Sequence, residues 1–147
     1  MTAIQIRRLV PGDEALLGTV APDVFDAPVD PVRVDVCLAA PGHLLFVALD
    51  DGQVVAQAAG MIHHHADRSP ELYIDNVGVS PAWRRLGIAN LLVDALFAAG
   101  RDAGCEEAWL GTEPDNLAAR ALYGQRTEPA EAAETFVMYA YDLRAGS

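Results

Sequence analysis

A chain of 147 residues with 52% hydrophobic and 21% charged residues fits a single domain with its own core, far from the composition of disorder. Its formal net charge of −11 excludes the phosphate backbone of a nucleic acid as the main partner, because that affinity rests on clustered cations. No apolar run nears the ~20 residues that span a bilayer, residues 1–10 lack the apolar stretch of a secretion signal, and Cys37 and Cys105 are too few for a disulfide framework. The expectation is one cytoplasmic domain over residues 1–147, with reduced cysteines and neither a nucleic-acid nor a membrane partner.

In chain order, Ile4, Ile6 and Leu9 mark a first strand, and Pro11-Gly12-Asp13-Glu14 starts a short helix through Leu16 and Leu17. Pro22, Pro28 and Pro31 make residues 21–31 an irregular loop, and a second helix covers 32–39. The apolar runs 44–49 and 54–62 flank Asp50-Asp51-Gly52, a hairpin signal because Asp-Gly supplies the positive-φ positions of a tight turn. Residues 71–79 form a further strand, broken at Ser80-Pro81. From Ile88 the positions Leu91, Leu92, Ala95, Leu96 and Ala99 recur at helical spacing, with Gly104 as the stop. A short strand at 108–110, a short helix at 116–123 and a last strand at 136–143 complete an α+β chain with a mixed, largely antiparallel sheet. No repeat, low-complexity tract or linker interrupts it.

The chain has ten arginines and no lysine, and Arg84-Arg85 is one of its two adjacent cationic pairs. The pair sits where the strand ending at Val79 turns into the long helix beginning near Ile88. A helix N-terminus offers unsatisfied N–H groups and the positive end of the macrodipole, so a diphosphate is favoured there. Gly87 and Ala89 let an anion approach the backbone closely. A short glycine-containing turn by itself is as well explained as a surface turn capped by arginines; placement between strand and long helix favours the anion site.

Arg84-x-x-Gly87-x-Ala89 resembles the acetyl-CoA signature of the GNAT superfamily of acyltransferases, and Asn116-x-x-Ala119-x-x-Leu122-Tyr123 resembles the short helix after its fifth strand. The order of elements is similar over nearly the whole chain. The resemblance implies a central mixed, mostly antiparallel sheet of six or seven strands with about four helices and with strands four and five splayed. It implies an N-acetyltransferase that uses acetyl-CoA as cosubstrate and no metal, acts on a small-molecule amine, and forms a homodimer by default. It places the pyrophosphate over Arg84, Arg85, Leu86, Gly87, Ile88 and Ala89, the pantetheine amides along Val77 and Val79, and further cofactor contacts at Asn116 and Ala119. Tyr123 resembles the proton donor to the departing thiolate. The strand Leu72-Tyr73-Ile74-Asp75-Asn76-Val77-Gly78-Val79 and the short tail after Tyr123 resemble the aminoglycoside 3-N-acetyltransferase-like branch.

Each of these residues has a plainer reading. Tyr123 also reads as a helix-end aromatic packed on a core, and Asn116 as a helix N-cap. The apolar phase Leu72, Ile74 and then Val77, Val79 slips by one, which a bulge near Asp75-Asn76 absorbs; alternatively both faces of a central strand are buried. For the base that deprotonates the amine, Asp75 leads, with Glu71 and water as alternatives. Asp23, Asp26, Asp30 and Asp35 crowd the proline-rich segment. An acidic rim with Asp26 and Asp30 attracting a polycationic amine competes there with mere solvated charge.

His63-His64-His65 cannot all face one ion from a strand, since neighbours point to opposite faces, and no metal site is assigned to them. Neither cysteine has a paired base in sequence. After Tyr123 the chain departs from the superfamily: Gly124-Gln125-Arg126-Thr127-Glu128-Pro129 intervenes with no Gly-Phe, so the sixth strand is expected to be short or absent. The alternatives in function are an enzyme that acetylates peptide or protein N-termini and a non-catalytic acetyl-CoA-binding module.

Overall fold

The computed structural model describes residues 3–125 and 133–144. The chain forms two compact units, residues 1–111 and 112–147. The first holds β1 (Gln5–Arg8), α1 (Pro31–Ala39), β2 (His43–Asp50), β3 (Gln53–His63), β4 (Glu71–Val79), α2 (Ile88–Asp102) and β5 (Glu107–Trp109). The second holds α3 (Leu117–Gly124).

The sheet runs in the order β1-β2-β3-β4-β5. Its first three pairings are antiparallel and the last is parallel, as a crossover through α2 requires. The β2–β3 hairpin turns on Asp51 and Gly52, at φ 50° and 82°, so the Asp-Gly signal gives the two left-handed positions expected. One face of the sheet carries α2, whose Ile88, Leu92, Val93, Leu96 and Gly100 are buried, with Gly100 closely packed on Leu72 of β4. Leu91 is 47% exposed; the buried stripe follows the four-residue spacing 88, 92, 96, 100 and leaves Leu91 to one side. Gly104 ends α2 at φ 89°, and the Cys105 amide donates to the Gly100 carbonyl at 2.9 Å, closing a Schellman turn.

Two counts differ from expectation among the described residues: five strands stand where six or seven were expected, and three α-helices where about four were. The first predicted helix is a 3-10 turn, Glu14–Gly18. Asp13, at its N-cap position, accepts from the Val10 amide at 2.9 Å and from Arg7 Nη2 at 2.8 Å and makes no side-chain cap to the turn. The predicted last strand, 136–143, is in neither helix nor strand, and Val137, Tyr139, Tyr141 and Leu143 are exposed. An apolar run rich in aromatic residues favours an extended chain, but a strand also needs a ladder partner, and no described strand supplies one. Arg126 to Pro129, in the departure after Tyr123, fall outside the described residues.

The pairing of β4 with β5 covers Glu71, Leu72 and Tyr73 against Glu107, Ala108 and Trp109. The edge of β4 beyond Tyr73 has no strand partner on that side among the described residues. No helix among them is long and apolar enough to cross a membrane.

Candidate active site

The segment between β4 and α2 is fastened at both ends and open in the middle. Ser80 is buried and its amide donates to the Val55 carbonyl at 2.9 Å. The Trp83 indole donates to Asp50 Oδ2 at 2.8 Å, tying the 3-10 turn Pro81–Trp83 to the β2–β3 hairpin. Arg84 Nε donates back to the Val79 carbonyl at 3.0 Å.

Arg85 and Gly87 then adopt left-handed φ of 62° and 79° and curl the backbone into the first turn of α2. Gly87 is the N-cap and brings no side-chain acceptor to that turn. Apart from its two chain neighbours, no atom of the described residues lies within 4 Å of the position a Cβ would take on Gly87, and residues 84–87 are exposed. Helix-end N–H groups, two guanidinium groups and open space above a glycine suit a diphosphate.

The bulge expected in β4 is present. Ala59 pairs with Asn76 and Gly60 with Ile74, so Asp75 is the extra residue. Asp75 is exposed, yet desolvation by the surrounding protein raises its carboxyl above the ordinary value, with the His43 charge pulling the other way. The Cys37 thiol is pushed up by burial and then by the Asp75 charge, so it stays protonated. Burial and Glu71 do the same to Cys105, and neither cysteine is an activated nucleophile.

Ala21 and residues 23–29, with Leu17, Gly18 and Val20, line a cavity of about 460 Å³ that includes Asp23 and Asp26. A Cβ on Gly78 would stand 2.2 Å from the Val24 carbonyl oxygen, so only glycine admits the loop this close. Gln57, 1% exposed in β3, donates through Nε2 to that same carbonyl at 3.2 Å and to Asn76 Oδ1 at 2.6 Å. Asn76 Nδ2 in turn donates to Asp26 Oδ2 at 3.3 Å.

Asp26 is thereby joined to the residue that follows Asp75. Asp30 serves elsewhere, since its Oδ1 accepts from the Val32 and Arg33 amides at 2.9 and 3.3 Å and caps α1. Gln57, Asn76, Gly78 and His43 were not singled out from the sequence. The one signal for Gln57 was a lone amide in an otherwise apolar strand, Val54 to Ala59.

Glu71 is not gathered with Asp75. It takes Arg68 Nε and Nη2 at 3.2 Å each and lies against the His65 ring. The rings of His63 and His65 are 4.3 Å apart, and among the described residues no group of three possible ligands surrounds a metal position.

In the second unit, Asn116 Oδ1 accepts from the Ala119 amide at 3.1 Å, so Asn116 does cap α3. Arg120 Nη1 donates to the Pro114 carbonyl at 3.1 Å. Burial pushes the Tyr123 phenol above its ordinary value, which keeps it protonated and able to donate.

A model of the Acetyltransferase (GNAT) family matches residues 16–127. Over 82 residues the chain is 29% identical to an aminoglycoside N(6')-acetyltransferase type 1 of Salmonella typhimurium, across 53% of this chain and 57% of that protein. The match thus spans little more than half the length of that relative. The enzyme of the same description from Stenotrophomonas maltophilia is 27% identical over 128 residues, 83% of this chain and 84% of its own. Both are N(6') enzymes, which gives no support to the 3-N-like branch. The crystal structure of the aminoglycoside N-acetyltransferase AAC(6')-Iy in complex with CoA superposes with a TM-score of 0.76 at 23% identity, covering 96% of each chain. At that identity the likeness concerns the fold.

Proposed function

The chain belongs to the GNAT family of acetyltransferases, and from that premise we propose that it transfers an acetyl group from acetyl-CoA to an amine of a small, cationic, aminoglycoside-like acceptor. The observation that carries the reading is the β4–α2 turn, with left-handed Arg85 and Gly87 leading into a helix start open to solvent. The pyrophosphate is assigned to Arg84, Arg85, Leu86, Gly87, Ile88 and Ala89. The pantetheine amides are assigned to the backbone of Val77 and Val79, on the part of β4 that has no β5 partner.

Acetyl-CoA supplies an activated thioester when bound. The protein's own part is proton handling and positioning. Asp75, its carboxyl already raised by its surroundings, is closer in basicity to an ammonium group than a free aspartate and takes its proton directly or through water. Tyr123, held protonated, returns a proton to the departing thiolate. Asp26 lines the cavity and attracts the cation, while Asp30 acts on α1. The names of the relatives favour a 6'-type amine of an aminoglycoside over the 3-N position.

Release of coenzyme A, followed with aminoglycosides, polyamines and free N-terminal peptides as acceptors, tests this reading. Turnover is expected with the cationic small amines. Tyr123→Phe is expected to lower kcat by ~10² to 10⁴, the range of general acid help. Turnover with peptides alone makes the chain an N-terminal acetyltransferase. Tight acetyl-CoA binding with no turnover on any acceptor makes it a binding module.

A further inference from the structure

We propose that Gln57 and Asn76 are positioning residues for the acceptor: a directional chain of hydrogen bonds, Gln57 to Asn76 to Asp26, holds the Asp26 carboxylate at the acceptor cavity to receive an ammonium group. This rests on the amine-acceptor reading above. Gln57 stands in the middle of β3 between the fully buried Ala56 and Ala58. Its Nε2 donates to two oxygens, the Val24 carbonyl and Asn76 Oδ1, while its own Oε1 is buried without a partner among the described residues. Two acceptors facing one nitrogen fix which way the amide points.

Asn76 Oδ1 is then occupied, so its amino group is the end left to meet Asp26 Oδ2, and a carboxylate, which only accepts, ends the chain. A buried acceptor with no donor is unfavourable, and an apolar side chain would pack at position 57 without one. The glutamine's retained liability is accounted for by what its amino group holds: the Val24 carbonyl on one side and, through Asn76, the Asp26 carboxylate of the cavity wall on the other. Asn76 also follows the bulged Asp75, so the same chain sets the spacing between the cation's anchor and the assigned base.

The experiment uses the full chain with kanamycin as the cationic amine and acetyl-CoA as donor, and compares Gln57→Met, Asn76→Ala, Asp26→Asn and the double variant Asn76→Ala/Asp26→Asn. Each single variant is expected to raise KM for kanamycin about tenfold, the effect of one hydrogen bond to a charged group, while KM for acetyl-CoA stays within about twofold. The double variant is expected to be no worse than the poorer single one, because residues acting through one carboxylate are not additive. Unchanged kanamycin KM in folded Asn76→Ala, effects that multiply in the double variant, or an equal rise in acetyl-CoA KM each overturns the proposal. If Gln57→Met fails to fold, the half-buried Asn76 and the double variant decide alone. A wild-type protein that binds coenzyme A but neither binds nor acetylates kanamycin or spermine overturns the amine reading and this proposal together; an active wild type with unaffected variants overturns only this proposal.

Discussion

The two loops that adjoin the end of β4, residues 80–87 and residues 21–29, are shaped in opposite ways. In the first, the start is tied to the β2–β3 hairpin through Ser80 and Trp83, but the open turn that follows is set locally: Arg84 Nε reaches the Val79 carbonyl five residues back, and Arg85 and Gly87 set their own left-handed φ. In the second the determining contacts come from across the sheet. The Ala21 amide donates to the Val54 carbonyl at 2.8 Å and the Val54 amide to the Thr19 carbonyl at 2.9 Å, while Gln57 holds Val24 and Asn76 holds Asp26 over separations of 33 and 50 residues. A turn such as 84–87, set by its own backbone, tolerates changes in the other loop. A loop hung from the sheet transmits them, so cofactor and acceptor affinities are separable by mutation.

The change expected to strain this separation most is Gly78→Ala. Its Cβ would overlap the Val24 carbonyl oxygen at 2.2 Å, and overpacking of this kind costs ~1 to 3 kcal/mol. Melting temperature should fall and amine KM rise with acetyl-CoA affinity retained; a parallel loss of acetyl-CoA affinity means that the loops are coupled. Gly87→Val acts on the other loop. A left-handed conformation costs an ordinary residue ~1 to 2 kcal/mol, and the side chain would also occupy the open space over the turn. Acetyl-CoA KM should rise about tenfold or more with amine KM steady, and unchanged cofactor affinity in a folded variant removes the anion site from residues 84–89.

Asp30→Ala sharpens the division within the acidic segment. Loss of the α1 cap should lower unfolding free energy by ~1 kcal/mol in urea titrations, with Asp30→Asn close to wild type because asparagine caps as well. A rise in amine KM in Asp30→Asn, without that loss, would return Asp30 to the acceptor rim beside Asp26.

The smallest expected effect on the fold belongs to Asp75. Its carboxyl is raised by burial, so the ionised form is disfavoured in the folded state. Its contribution to stability is therefore fully present below the ordinary carboxylate range and lost as pH rises through the raised value. Asp75→Asn should be slightly more stable than wild type at neutral pH and converge with it in acid, while kcat falls and the acidic limb of its pH profile moves. An advantage that persists into acid would trace to packing rather than charge.

Short-range chemistry makes much of the molecule readable from its residues alone. Asp51-Gly52 has the turn residues of a hairpin and forms one. The slip from Leu72 and Ile74 to Val77 and Val79 marks a bulge, and the bulge is there. Arg84 to Ala89 lie between strand and helix as their spacing implies, and Asn116 caps the helix it precedes. The apolar run at residues 136–143 misled, because a strand-like composition does not say whether a neighbouring strand exists to pair with it. Leu91 misled more mildly, since a helix pattern of apolar residues does not say which edge of the stripe the sheet covers.

What the sequence determined by itself, then, is whatever neighbours within a few residues decide: turn φ angles, caps, helix period and the charged cradle at the start of α2. The tertiary structure alone decided that Asp30 serves α1 while Asp26 faces a cavity, that Glu71 is held by Arg68 and Asp75 stands apart at the bulge, and that one buried glutamine ties the acceptor loop to the sheet. These depend on groups 33 and 50 residues apart meeting across β3 and β4, where a carboxylate's role follows from the donor it happens to face, and no local pattern encodes that donor.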